Sequence, residues 1–375
     1  MNINPKAAGL DATRLDRITD HLDRSYLQPK KIAGCQTLVA RHGHVAFFES
    51  QGSMDLHLGG GAAEARPVRD DTLWRIYSMS KPITSVALML LYERALFQLN
   101  DPVHKFIPEW RDLKVLEVSD GESRLVEPER PMAVRDLLMH ASGLTYGMDP
   151  NHPLDQLYME HGLNGLDMQG RTLEVFVKQL AEMPLKFHPG SRWHYSFSTD
   201  VCGRLVEILS GQPFDEFLKT ELFAPLKMVD TKFQITEEDL ERFPTNYRRR
   251  RDKSLRAFDE PSNSRYLRDR AFISGGGGLV STSSDYFRFC QMLLNGGQVD
   301  GERILSRKTI ELMTKNHLPG GVDLRRVALG NFGETGFDGI GFGLGFAVTL
   351  DETETHEVGS AGHYYWGGAA SSIFW

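Results

Sequence analysis

The sequence predicts a mixed α/β (α+β) fold: an antiparallel sheet flanked by helices, built from both ends of the chain, with an all-helical subdomain between them. Three observations predict it. β-rich runs lie near the start and the end, the middle shows short helical segments broken by Gly and Pro, and the most apolar helical stretch, "SMSKPITSVALMLLYERA" at 78–95, follows the first strands. At 375 residues the chain exceeds one small core. The expected division is residues 1–111 with 271–375 as the α/β part and 112–270 as the inserted helical part.

In chain order, Asp11 caps a helix in which Leu15, Ile18 and Leu22 recur at helical spacing. "CQTLVARHGHVAFFESQG" then places two β-rich runs around Arg41-His42-Gly43-His44, which predicts a hairpin. In the segment from Ser78, Ile83, Val86, Ala87, Leu90 and Leu91 form one face, and Leu88 and Met89 widen it. Little polar surface is left, so the helix is expected to be central and buried. "VRDLLMHASGL", "TLEVFVKQLAEMPLKF" and "DVCGRLVEILSGQPFDEFLKTEL" supply the helices of the middle. Then "SGGGGLVSTSSDYFRFCQMLLNGG" predicts a loop and a helix capped near Ser283 or Ser284. In "GFGLGFAVTL" the alternation of Phe342, Leu344, Phe346, Val348 and Leu350 predicts a strand. The chain stops at Ser372-Ile373-Phe374-Trp375 inside an apparent strand, so either a longer protein or an exposed edge is expected there.

Composition excludes several classes of function. Hydrophobic residues at 41% and charged residues at 25% match an ordinary globular protein and not a fibrous or disordered one. A net charge of −7 supplies no overall attraction to nucleic acid or anionic membranes. The basic run Tyr247-Arg248-Arg249-Arg250-Arg251 is expected to be a solvated loop. Three scattered cysteines, Cys35, Cys202 and Cys290, point to no disulfide framework or zinc cluster, and the N-terminus has no signal-peptide pattern. No segment reaches the length of a membrane span. A cytoplasmic protein is expected. His140, His188 and His363 lack metal-ligand spacing and are expected to be structural.

Ser78 and Lys81 carry the chemistry. Residues at i and i+3 share a helix face, so a hydroxyl and an amine come within hydrogen-bond reach. Pro82 belongs in a first helical turn, where its missing N–H costs little, and this places Ser78 at the helix N-terminus, beside the positive end of the dipole. A serine hydroxyl attacks only when a base takes its proton, and a desolvated lysine can be that base. The alternative is a structural cap with Lys81 reaching outward to water. Context favours catalysis: this is the single Ser-x-x-Lys in the sequence, and it opens the most apolar helix.

These residues resemble the first motif of the serine β-lactamase and penicillin-binding-protein superfamily, in its class C-like branch. "FHPGSRWHYSFSTDVCGRLVEILSG" is similar to the second motif, with Tyr195 at the tyrosine position and Phe197 where an asparagine is usual. "LLMHASGL" and "GGGGLVSTSSDYFRF" resemble two further stretches of that branch, and Trp366-Gly367-Gly368 stands where Lys-Thr-Gly or His-Thr-Gly is usual. Tyr-Ser-x with Trp-Gly-Gly is closest to the family VIII carboxylesterases. The four glycines at 275–278 are expected to form a tight turn against the site wall and not a phosphate cradle, because no P-loop Lys-Ser/Thr follows. No Gly-x-Ser-x-Gly is present.

The resemblance implies a β-lactamase-like fold and a serine hydrolase for short-chain carboxylic esters, with a small-molecule ester as partner. Ser78, Lys81 and Tyr195 would be catalytic, and the Ser78 and Ala369 backbone N–H groups would form the oxyanion hole. Trp366, Gly367, Gly368 and Phe197 would contact substrate. It implies no metal and no cofactor. Whether Lys81 or Tyr195 is the base stays open, and core packing is the alternative for Tyr195 and Trp366. A β-lactamase, a D-amino-acid peptidase, an acyltransferase and a non-catalytic binding relative are the other outcomes.

Overall fold

The computed structural model describes residues 1–56, 65–119, 121–164, 170–268, 272–330 and 336–375. The expected boundary between residues 270 and 271 lies outside them. Contacts group the chain into two units: Met1–Arg75 with Leu226–Asp269 and Val280–Met292, and Ile76–Pro225 with Arg270–Leu279 and Leu293–Trp375.

The first unit opens with α1 (Ala12–Leu22), whose N-terminus is closed as expected: the Asp11 carboxylate accepts from Thr13 N at 2.9 Å. Strands β1 (Gly34–Arg41) and β2 (His44–Gly52) then pair antiparallel with Arg41 opposite His44, which leaves the expected turn at His42-Gly43. β3 (Trp74–Arg75) pairs with a distant strand at Val280–Ser281. Leu73, Ile235, Phe243, Tyr266 and Val280 form a small core, and the buried Arg75 guanidinium lies 3.7 Å from the centre of the Phe243 ring while donating to Asp259 at 2.6 Å.

The second unit is organised on α2 (Ser80–Glu93), which is buried from Ser80 through Leu91 as its apolar composition requires. After α2 come the β4–β5 hairpin (Val115–Ser119, Glu122–Val126) and helices α3 (Val134–Leu138), α4 (Pro153–Glu160), α5 (Leu173–Leu180), α6 (Ser198–Ser210) and α7 (Phe214–Leu218). α2 packs on α6, and α6 on α3, α5 and α7. A second hairpin, β6 (Asn246–Arg249) with β7 (Leu255–Asp259), belongs to the first unit. Among the described residues of 112–270, helices are thus joined by two hairpins. The basic run divides: Tyr247–Arg249 belong to β6, with the Arg248 guanidinium 4.4 Å from the centre of the Phe258 ring, and Arg250 and Arg251 lie in the exposed turn after it, so the expected solvated loop holds for its second half.

Two local expectations are corrected. Helix α8 (Ser283–Leu294), which follows β8 (Val280–Ser281), is capped by Thr282, whose hydroxyl accepts from Asp285 N at 3.2 Å; Ser283 and Ser284 already lie inside the helix. After β9 (Gln298–Val299), β10 (Glu302–Arg303) and α9 (Arg307–Met313), residues 340–349 form two strands, β11 (Ile340–Phe342) and β12 (Ala347–Thr349). Gly343 and Gly345 turn the chain between them, with Gly345 at φ +102°. The alternation was real, but it ran across a turn. β11, β12, β13 (Tyr364–Gly368) and β14 (Ser372–Phe374) make a four-stranded antiparallel sheet in that order. Among the described residues no helix is long and apolar enough to cross a membrane.

Candidate active site

Ser78 lies in a single 3-10 turn, Tyr77–Met79, that runs into α2, and it is 9% exposed. The residue before it, Tyr77, has φ +42°, a backbone conformation that a bulky side chain adopts only when its surroundings hold it. Three contacts hold it: Ile76 N donates to Leu279 O at 3.2 Å, Met79 N donates to Ile76 O at 3.0 Å, and β13 lies against the turn. Gly368 makes that approach possible. A Cβ there would sit 2.5 Å from Ile76 O and 2.4 Å from Ser372 Oγ. Ala369 follows immediately, in the exposed turn between β13 and β14.

Pro82 is the third residue of α2, in the first turn as expected. One turn after Ser78, Lys81 is 2% exposed, and its Nζ donates to Ser78 Oγ at 3.1 Å and to the Gly276 carbonyl at 2.6 Å. The same Nζ stands 4.5 Å from the Tyr195 ring centre and 5.6 Å from that of Tyr146. A lysine this deeply buried is tolerated because bonds and aromatic faces replace its water.

Tyr195 comes from the segment entering α6 and is 3% exposed. Its Oη accepts from Trp366 Nε1 at 3.1 Å. Its ring is met edge-on by His140, Tyr146 and Trp366, at centroid distances of 4.9, 5.3 and 5.3 Å. The site therefore brings Ser78, Lys81, Tyr195 and Trp366 together, with Gly367 and Gly368 continuing the strand that carries Trp366. Phe197 stands further back, its ring packed edge-on against Tyr146 at 4.6 Å and Phe176 at 4.9 Å and 2% exposed, so it reaches the lysine through Tyr146. The glycine-rich stretch is a turn that supplies the lysine's acceptor.

Tyr146 and Asp200 were missed from sequence. Tyr146 carries no local signal; it is a loop aromatic just after "LLMHASGL". Asp200 had one: a carboxylate in the first turn of a largely apolar helix needs a partner once that helix is buried. His140 is buried as a structural residue, but its ring touches Tyr195. Burial first, then Lys81 and His194, hold its pKa well below the usual histidine value, so the site keeps it neutral.

His194 behaves alike. Burial, followed by Lys186, pushes its pKa down to about 4, and its Nδ1 faces the Leu329 carbonyl at 2.8 Å. The unfolded chain takes up this proton near pH 6.5, and the folded chain refuses it until about pH 4. The stabilising contribution is thus complete above pH 6.5 and is lost as pH falls toward 4, by on the order of 3 kcal/mol. Urea unfolding of wild type and His194→Gln at pH 7.5 and 5 tests this. The variant is expected to show the shallower pH dependence, and equal slopes would refute it.

The sequence matches the Beta-lactamase family over residues 19–375. It is 33% identical over 307 residues to protein Rv1367c of Mycobacterium tuberculosis, covering 81% of this chain and 74% of that protein. It is 29% identical over 382 residues to Esterase EstB of Burkholderia gladioli, covering 98% and 88%. Among solved structures it is similar to EstCE1, described as a hydrolase with promiscuous acyltransferase activity, with a TM-score of 0.78, 26% identity and coverage of 95% and 88%.

Proposed function

Because the chain belongs to the Beta-lactamase family, a fold of serine hydrolases with esterase and acyltransferase relatives, we propose that it hydrolyses short-chain carboxylic esters through an acyl group carried on Ser78. The observation that carries this reading is the Lys81 amine, 2% exposed, set between Ser78 Oγ at 3.1 Å and the Gly276 carbonyl at 2.6 Å. In its neutral form the amine keeps one N–H for Gly276 and turns its lone pair to the serine proton. Ser78 Oγ then bonds to the ester carbonyl carbon, and the carbonyl oxygen takes the negative charge. The Ser78 N–H, at the N-terminal end of α2, and the Ala369 N–H, in the turn past Gly368, are the proposed donors to that oxyanion.

When the tetrahedral species collapses, the alkoxide leaves and needs a proton. Tyr195 is the proposed donor. Its oxygen accepts from Trp366 Nε1, and that hydrogen bond steadies the phenolate that forms when the proton is given up. Water then enters along the same path, bonds to the acyl carbon and gives its proton to the Tyr195 phenolate; the acyl bond to Ser78 Oγ breaks, Lys81 returns its proton to that oxygen, and the acid leaves. Either group can take the first proton from Ser78. On this reading Trp366 positions Tyr195 and Phe197 backs Tyr146, and both shape the site from behind.

An ester is preferred over a β-lactam because of what the third motif contains. Trp366-Gly367-Gly368 puts an indole, 0% exposed and turned to Tyr195, where a cation would pair with a substrate carboxylate. A neutral acyl group loses nothing there; a penicillin carboxylate loses its partner. p-Nitrophenyl butyrate is therefore expected to exceed a penicillin in kcat/KM by about 100-fold or more. Comparable values would remove the preference.

Acyl transfer to an alcohol is the second reading, favoured by the description of EstCE1, since it differs only in what accepts the acyl group. Added butanol yielding a butyl ester at the expense of free acid would establish it. The division into residues 1–111 with 271–375 and 112–270 belongs to the same proposal, as does a cytoplasmic location, which rests on the sequence spacing of Cys35, Cys202 and Cys290.

A further inference from the structure

A buried carboxylate lies one loop away from the catalytic amine. Asp200, in the first turn of α6, is 1% exposed, and its Oδ1 accepts from Ser274 Oγ at 2.6 Å and from Gly276 N at 3.1 Å. Gly276 presents its carbonyl to Lys81 Nζ at 2.6 Å. α2 holds the same loop twice more: Thr84 Oγ1 donates to Gly275 O at 2.7 Å, and Leu279 N donates to Ser80 Oγ at 3.2 Å. No side chain fits between these anchors. A Cβ at Gly276 would lie 2.5 Å from Asp200 Oδ2, and one at Gly275 would lie 2.7 Å from Thr199 O.

Burying an ionisable carboxyl is costly, and burial pushes the Asp200 pKa up while Ser274, Lys81 and the Gly276 N–H pull it down. An apolar side chain would pack the loop without that cost. What a carboxylate adds is direction: two donors on one oxygen set where Gly276 stands and so where its carbonyl points. The acceptor that Lys81 uses is therefore fixed from α6 and not from its own helix.

We infer that Asp200 is a positioning residue of the Ser78 centre, acting through the 274–279 loop: it aims the Gly276 carbonyl that holds Lys81 Nζ against Ser78 Oγ, and it touches no substrate. The inference rests on the ester-cleaving reading, and its test separates the two. The rate at which a fluorophosphonate labels Ser78 is measured beside p-nitrophenyl butyrate kinetics for wild type, Asp200→Ala, Asp200→Asn and Ser274→Ala, with folding followed by circular dichroism.

Asp200→Ala is expected to lower both kcat and the labelling rate by about 100-fold while KM holds, because the amine is misplaced and the binding surface is not. Asp200→Asn keeps an acceptor for Ser274 and Gly276 and should recover most of that loss. Should Asp200→Ala fail to fold, Ser274→Ala carries the test. It removes one of the two donors and is expected to cost about tenfold. Folded variants that label as fast as wild type, or an Asp200→Asn no better than Asp200→Ala, would overturn the inference. A wild type inert to both ester and phosphonate would overturn the serine-hydrolase reading and this inference with it.

Discussion

Ser78→Ala is expected to abolish turnover of p-nitrophenyl acetate through decanoate, by at least about 10⁴-fold in kcat, and to leave the fold intact. The chemistry passes through one oxygen, so its removal leaves only binding and the oxyanion donors. The fold should survive because the serine hydroxyl contributes little to it. Ser78 Oγ accepts from Lys81, and Lys81 keeps the Gly276 carbonyl when that oxygen is gone. One Lys81 N–H loses its acceptor, so the cost is about 1–3 kcal/mol, which a folded domain tolerates. A phosphonate adduct found by intact mass on wild type and missing from Ser78→Ala would identify the nucleophile independently of any ester. Retained turnover in pure variant would sink the mechanism. Nitrocefin in the same panel decides the substrate: cleavage of nitrocefin alone would move the assignment to a β-lactamase.

Replacing Lys81 is expected to lower kcat by about 10³-fold, the contribution of a well-placed base together with the order it imposes. Two variants are needed because Lys81 also fills space. Lys81→Ala removes a fully buried stem and leaves the Gly276 carbonyl without its donor, so stability should fall along with activity. Lys81→Met keeps the stem and removes the amine. It should lose as much activity with a smaller drop in Tm, and a Lys81→Met enzyme of near wild-type kcat would exclude Lys81 as a proton carrier. Tyr195 would then be left as the base.

How much of this was legible depended on the range of each interaction. The pairing of Ser78 with Lys81 is a three-residue relation that a helix start imposes on any sequence, and Pro82 marked where that start lies. The hairpin at Arg41–His44 and the Asp11 cap are equally local. Where local cues were ambiguous, the expectations slipped. Four consecutive hydroxyl residues at 281–284 could all cap α8, and the chain used Thr282. Alternation from Phe342 to Leu350 fits one strand or a hairpin equally well, and only pairing across Gly343–Phe346 distinguishes them.

By itself, then, the sequence determined the Ser78–Lys81 pairing, the buried helix beneath it and, through resemblance, the family. Tertiary structure alone decided what surrounds them. The acceptor of Lys81 is 195 residues away, the donor to Tyr195 is 171 residues away, and Asp200 meets Ser274 across 74. No spacing rule relates such residues. Their partners are settled when α2, α6, the 274–279 loop and β13 pack together, because each buried polar group must find its hydrogen bond among the groups that packing brings within reach.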